Sequence, residues 1–190
     1  MGNRKIAEAT EKILEALGID WEEDQNFQNT PNRVARAFME RNQRLLDDDE
    51  RRLDNILSTE FTSGYSDFVI VDPIRTASLC SHHLETVVLN AYIGYIPDEE
   101  VVGLSKIPRA VEYLTSRPTL QEDITGEIAD VLDERLNPQS LIVHVEGEHH
   151  CLVSRGAEEK DASMTTTALR GDARENKTQV DEFFSRIDNR

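Results

Sequence analysis

Residues 79–96 read LCSHHLETVVLNAYIGYI. Val87–Ile96 is rich in branched and aromatic side chains, the composition of a strand. A second strand is predicted over Phe68–Val71, so that LCSHHLE lies between the members of a β pair. The apolar stretch is far shorter than a membrane helix requires, and it holds Asn90 and two tyrosines. Pro97-Asp98-Glu99-Glu100 follows as a turn.

On the N-terminal side the pattern is helical. Ile6, Ile13, Leu14 and Leu17 fall on one stripe that stops at Gly18. After a polar stretch, Trp21 to Asn29, Thr30-Pro31 opens a second helix with Thr as N-cap and Pro at the first helical position. Val34, Phe38 and Leu45 line its apolar face. The segment from the charge run Asp47-Asp48-Asp49-Glu50 to Gly64 is expected to be a solvated connection with some helical character. On the C-terminal side, Ser105 is placed to cap a third helix, with Pro108 tolerated in its first turn. A fourth carries Ile124, Ile128, Leu132 and Leu136 and stops at Asn137-Pro138. Strands are expected over Ser140–Glu146 and around His149–Ser154, and a short helix over Val180–Ile187. The order predicts an α+β fold, with residues 1–66 as a helical region and 67–190 as the main domain.

The chain has 190 residues, an ordinary single-domain length. Its hydrophobic share of 38% is modest, which suits a subunit that completes its burial against copies of itself. A net charge of −16 excludes nucleic acid as a partner, because phosphate backbones require a basic surface. The cations comprise 5 lysines against 16 arginines, facing 37 carboxylates. Such a surface stays hydrated in concentrated salt, which suggests a salt-loving source; an ordinary acidic cytosolic protein is the other reading. The amphipathic, charged start has no signal-peptide pattern, so a soluble cytoplasmic protein without a membrane span is expected.

Both cysteines of the chain lie beside histidines, in Cys80-Ser81-His82-His83 and His149-His150-Cys151. A disulfide or two inert buried thiols are the alternatives, and neither explains why four of the five histidines gather there. A metal does. Cys80 and His83 have the two-residue gap of one arm of a zinc site. If His149–Ser154 is a strand, His149 and Cys151 share a face and His150 points away. With Cys151 as a third ligand, a position stays open for water, the arrangement of a catalytic zinc.

Arg33 and Arg36 share a face of the second helix. Ser105-Lys106-Ile107-Pro108-Arg109 puts a hydroxyl, two cations and free N–H groups at a helix start, a ready anion site. Arg155 follows Cys151 closely. Read singly, each cation suits a surface salt bridge; together they suggest a polyanion such as a triphosphate. No phosphate-binding glycine loop of the G-x-x-x-x-G-K-[ST] type is present. Gln121-Glu122 offers an amide and a carboxylate to a base edge, with plain surface exposure as the alternative.

At these residues the sequence resembles GTP cyclohydrolase I. TPNRVAR, LCSHH, AYIGYIPDEEVVGLSKIPR, RPTLQEDIT, the H-x-C of His149–Cys151 with the following SRG, and SMTTTALRG follow that family's pattern in order, from about Asn29 to Gly171. The resemblance implies the tunnelling fold, an antiparallel sheet with a helix pair on one side, whose subunits join into a β-barrel ring, usually a homodecamer of two pentamers. It implies Zn²⁺ held by Cys80, His83 and Cys151, and GTP as substrate. In the reaction the resemblance implies, water attacks C8 of the guanine, His149 protonates N7, the imidazole ring opens and formate leaves. Ribose rearrangement then gives 7,8-dihydroneopterin triphosphate for pterin, folate or deazapurine synthesis. His82 and Ser105 match residues that assist the proton transfers and ribose steps. Gln121 and Glu122 match readers of the guanine edge. Lys106, Arg109 and Arg155 match triphosphate ligands, with Arg33 and Arg36 reaching in from a neighbouring subunit.

One position departs. The family commonly has Glu where this chain has Ser81, which removes a carboxylate beside the metal. The competing readings are an inactive or altered purine or pterin binder on the same fold, and the nitrile reductase relatives, which need a cysteine free of metal.

Overall fold

A computed structural model describes residues 2–46, 49–58, 60–155, 158–159 and 161–189. Asp47 and Asp48 of the charge run, and Gly156 of the SRG segment, lie outside the described residues. Three helices come first: α1 (Gly2–Ala16), α2 (Thr30–Glu40) and α3 (Asp49–Leu57), with a 3-10 turn at Gln43–Leu46. Strands β1 (Glu60–Thr62), β2 (Val69–Cys80), β3 (Thr86–Ile96) and β4 (Glu100–Val102) follow. Then come α4 (Lys106–Thr115), the short β5 (Pro118–Thr119), α5 (Gln121–Leu136), β6 (Ser140–His149), the single-turn α6 (His150–Val153), β7 (Met164–Gly171) and α7 (Lys177–Asp188).

The α+β class is as expected. Five strands form one sheet in the order β5-β2-β3-β6-β7, and β1 pairs with β4 apart from it. All neighbours in the large sheet run antiparallel except β2 and β5. Alternation along β3 explains its two faces. Leu89, Ala91, Ile93 and Tyr95 join Leu141, Val143 and Val145 of β6 under the helix pair α4 and α5, whose Ile107, Val111, Leu114, Ile124, Ile128 and Leu132 complete the main core. Ile96 and Ile142 meet Phe68 and Phe183 of α7 in a smaller cluster. Gly94 sits on that second face, where an added Cβ would lie 2.5 Å from the Phe183 ring, so only glycine lets the helix approach.

Several expectations are corrected. The connection after the charge run is an ordered helix, because Leu53 and Leu57 are buried in the main core. Residues 60–62 are a strand inside the region expected to be helical, and Glu100 begins β4 rather than closing a turn. β2 runs on to Cys80, with a register shift between Val71 and Ile74 at the cis Asp72-Pro73 bond. The SMTTTALRG segment supplies β7, which pairs with β6 along its length. The α1 stripe is only partly interior: Leu14 is buried, while Ile13 is 59% and Leu17 is 69% exposed. Ser105 precedes α4 but makes no side-chain cap hydrogen bond. Among the described residues no helix is long and apolar enough to cross a membrane.

Candidate active site

Sheet register brings the two cysteine–histidine segments together. Cys80 ends β2, and the chain turns tightly there: Cys80 N–H donates to Glu85 O at 2.8 Å and Leu84 N–H to Cys80 O at 2.8 Å. Leu84 takes φ +55°, and His82 and His83 ride on this turn. β3 leaves from it, and its Val87 is opposite His149 at the end of β6. β5 closes the third side, with Thr119 opposite Cys80 and Gln121 two residues further on at the start of α5.

Cys80, His83 and Cys151 place their ligand atoms within 4.8 Å of one another. No disulfide joins the cysteines. Burial, and then the hydrogen bond with Cys80, push the Cys151 thiol above its ordinary value. Two thiols and one imidazole are the donor set that suits a tetrahedral metal with one open position. Cys151 reaches this cluster from the helical turn α6, not from a strand as expected. The alternation argument that put His149 and Cys151 on one face therefore does not apply: the chain coils after His149. His150 does turn elsewhere, with Nε2 at 3.3 Å from Glu148 Oε1.

His82 is exposed, with Nδ1 3.9 Å from Cys80 Sγ. Ser81 is exposed on the same turn. His149 is half-buried, and burial holds its imidazole below the ordinary value while the charge of Glu122 opposes that shift. Its Nε2 lies 2.9 Å from Gln121 Oε1. Glu122 is exposed, but Gln121 is only 2% exposed, and its side-chain NH₂ faces Val145 O, Met164 O and Thr166 Oγ1 at 3.0–3.2 Å. Sequence reasoning did not single out Gly147, Thr125 or Thr166, which surround this amide. They come from three separate elements, and no local pattern marks them.

The cations come from separate elements. Lys106 and Arg109 line a cleft with Arg52, Glu40, Glu112 and Tyr113. Arg33 and Arg36 are exposed on α2, and Arg155 is exposed just after α6. Ser105 is exposed at the start of α4.

With this geometry in view, a family model described as GTP cyclohydrolase I matches residues 6–188. The chain belongs to the GTP cyclohydrolase I family. It is 40% identical to GTP cyclohydrolase 1 of Thermobifida fusca over 180 residues, covering 93% of this chain and 84% of the relative. The GTP cyclohydrolase 1 of Pelotomaculum thermopropionicum is also 40% identical, over 96% of this chain and 95% of its own. Among solved structures, an apo archaeosine synthase QueF-like protein overlays 55% of this chain with a TM-score of 0.44 at 16% identity. As a member of the GTP cyclohydrolase I family the chain is a hydrolase of pterin biosynthesis, and its Cys80, His83 and Cys151 form a cluster able to chelate a metal.

Proposed function

We propose that this chain opens the guanine imidazole ring of GTP hydrolytically at C8, releasing formate and forming 7,8-dihydroneopterin triphosphate. The observation that carries the reading is the convergence of Cys80, His83 and Cys151 on one point, with His149 at the end of the adjoining strand. Zinc suits this donor set, and when bound it supplies Lewis-acid activation of water. His149 delivers the proton that N7 needs as its bond to C8 breaks. His82 and Ser105 assist the later proton transfers of ring opening and ribose rearrangement. Glu122 accepts from N1–H and the 2-amino group of guanine, a pair of donors that adenine lacks. Gln121, expected at the same base edge, holds its amide inside the protein, which leaves the exposed Glu122 as the stronger candidate for reading the base.

Lys106, Arg109 and Arg155 bind the triphosphate in this reading, with Arg33 and Arg36 contributed by a neighbouring subunit. Ring assembly, as a decamer of two pentamers, is supported by the sheet's edges. β7 ends the sheet on one side, and β5 covers only the last two residues of β2 on the other. The region 67–190 is then the catalytic domain, and 1–66 a mainly helical extension whose Leu53 and Leu57 pack into its core and whose β1 pairs with β4.

The test is to mix zinc-loaded protein with GTP in high salt and follow formate and the near-ultraviolet absorbance of a dihydropterin. Both products are expected, and both are expected to vanish in His149→Ala. Tight zinc binding with GTP, dGTP and other purines untouched would instead make this a binding relative, with Ser81→Glu the change to test for restored activity.

A further inference from the structure

The side chain of Gln121 is oriented without ambiguity by its surroundings. Its nitrogen lies 3.1 Å from Val145 O and 3.0 Å from Met164 O, and backbone carbonyls only accept. The NH₂ group therefore faces them, and the amide oxygen faces His149. Three hydroxyl contacts reinforce this. Thr125 Oγ1 donates to Gln121 O at 2.9 Å, so at its 2.6 Å contact with Thr166 it accepts. Thr166 Oγ1, having donated to Thr125, is left to accept from Gln121 Nε2 at 3.2 Å. The amide is locked by a closed ring of hydrogen bonds between α5 and β7.

Space is fitted to it as closely. Gly147 lies beside the amide, and a Cβ there would come within 2.0 Å of Gln121 Oε1. The oxygen that remains is 2.9 Å from His149 Nε2, and because an amide oxygen only accepts, that nitrogen carries a hydrogen. Nδ1 of His149 has no hydrogen-bond partner among the described residues.

We propose that Gln121 is a positioning residue that fixes His149 as the Nε2–H tautomer, so that Nδ1 is the nitrogen that carries a proton to the substrate. The tautomer follows from the geometry alone. The role of Nδ1 rests on the reading of His149 as the acid for N7. Gln121 then acts on the reaction through His149 and not through the guanine edge, which falls to Glu122.

The experiment pairs a spectroscopic reading with kinetics on zinc-loaded enzyme. Selective ¹⁵N-histidine labelling, with the His149 signals assigned by their loss in His149→Ala, reports which ring nitrogen is protonated at pH 8 without substrate. Wild type is expected to show a protonated Nε2 and a bare Nδ1; the opposite tautomer overturns the proposal outright, whatever the variants do. Gln121→Met keeps the side chain's length and removes the acceptor. It is expected to lose the fixed tautomer and to lower kcat about ten- to a hundredfold with KM within about twofold, the cost typical of removing a histidine's orienting partner. A rise in KM or a loss of preference for guanine, with kcat kept, would instead make Gln121 a base reader and overturn the proposal. If wild type releases no formate from GTP, the functional reading fails, while the tautomer signal still decides the role of the amide.

Discussion

Arg44 grips Glu127 with both ends of its guanidinium: Nη2 lies 2.6 Å from Oε1 and Nη1 2.8 Å from Oε2. The same arginine reaches Asp49 through Nε and Nη2, and Arg117 Nη2 adds a bond to Glu127 Oε2 at 2.8 Å. Tyr113 O–H donates to Asp49 Oδ1 at 2.8 Å. The network joins the turn before α3 to α3, α4 and α5, the elements that cover the main core. The Arg44 side chain is only 8% exposed, which sets it apart from an ordinary surface ion pair.

This network predicts acid sensitivity. Hydrogen bonds from Arg44 hold the Asp49 carboxyl below its ordinary value against the cost of burial. Burial is the largest influence on Glu127 and pushes it up, but Arg44 and Arg117 together more than offset it. Both folded-state values are depressed, so their stabilisation is complete above the ordinary carboxylate range and is lost as pH falls below about 4. Urea midpoints measured from pH 7 to pH 3 are expected to drop steeply below pH 4 in wild type and less so in Glu127→Gln. Arg44→Met, which leaves two carboxylates facing each other, is expected to cost about 3 kcal/mol at pH 7.

Gly94→Ala tests the docking of α7. The new methyl group meets the ring of Phe183, which is 0% exposed and has no room to retreat. The expected cost is about 1–3 kcal/mol, read as a lower thermal midpoint and faster proteolysis within residues 177–188. Combining it with Phe183→Leu is expected to recover part of the loss, since the two changes share one contact. Additive effects would mean that the helix is held by other contacts.

Removing a ligand should separate metal from fold. Cys80→Ala and Cys151→Ala are each expected to abolish stoichiometric zinc and formate release. Cys80 is one member of a main core drawn mostly from β3, β6, α4 and α5, and Cys151 packs against it, so far-ultraviolet circular dichroism is expected to stay close to wild type. Metal analysis beside the spectrum checks both halves; a collapsed spectrum would make the site structural.

Salt should stabilise the protein. With a net charge of −16, self-repulsion at low ionic strength opposes the compact state, and screening relieves it. The unfolding midpoint is expected to rise between 0.05 and about 2 M NaCl, the range over which the Debye length falls from more than 10 Å to below about 3 Å. A flat response would mark an ordinary acidic protein.

Much of this was legible in the linear chain where the signal is local. The repeat of Ile124, Ile128 and Leu132 marks α5, and all three are buried in the main core. The grouping of Cys80, His83 and Cys151 was readable because thiols and imidazoles are few and sit at ligand spacing, and their side chains do converge. Signals failed where pairing decided the outcome. The threonine-rich segment of β7 has weak apolar alternation and becomes a strand because β6 offers it a continuous partner edge. Cys151 looked like a strand residue by proximity to His149, yet the chain coils into a helical turn there.

The sequence by itself determined the chemistry available to this protein: the donor set for a metal, a histidine beside it, the acidic surface and the family to which the chain belongs. Residue types and short spacings carry that information, and it survives in any conformation. Tertiary structure alone decided how those groups are aimed. Gln121 reads in the sequence as an exposed amide at a helix start, and only the carbonyls of Val145 and Met164, the hydroxyl of Thr166 and the bare backbone of Gly147 turn its oxygen toward His149. Those partners lie 24 to 45 residues away along the chain. A hydrogen bond's direction depends on where its acceptors stand in space, and that is set by strand register and helix packing rather than by neighbours in sequence.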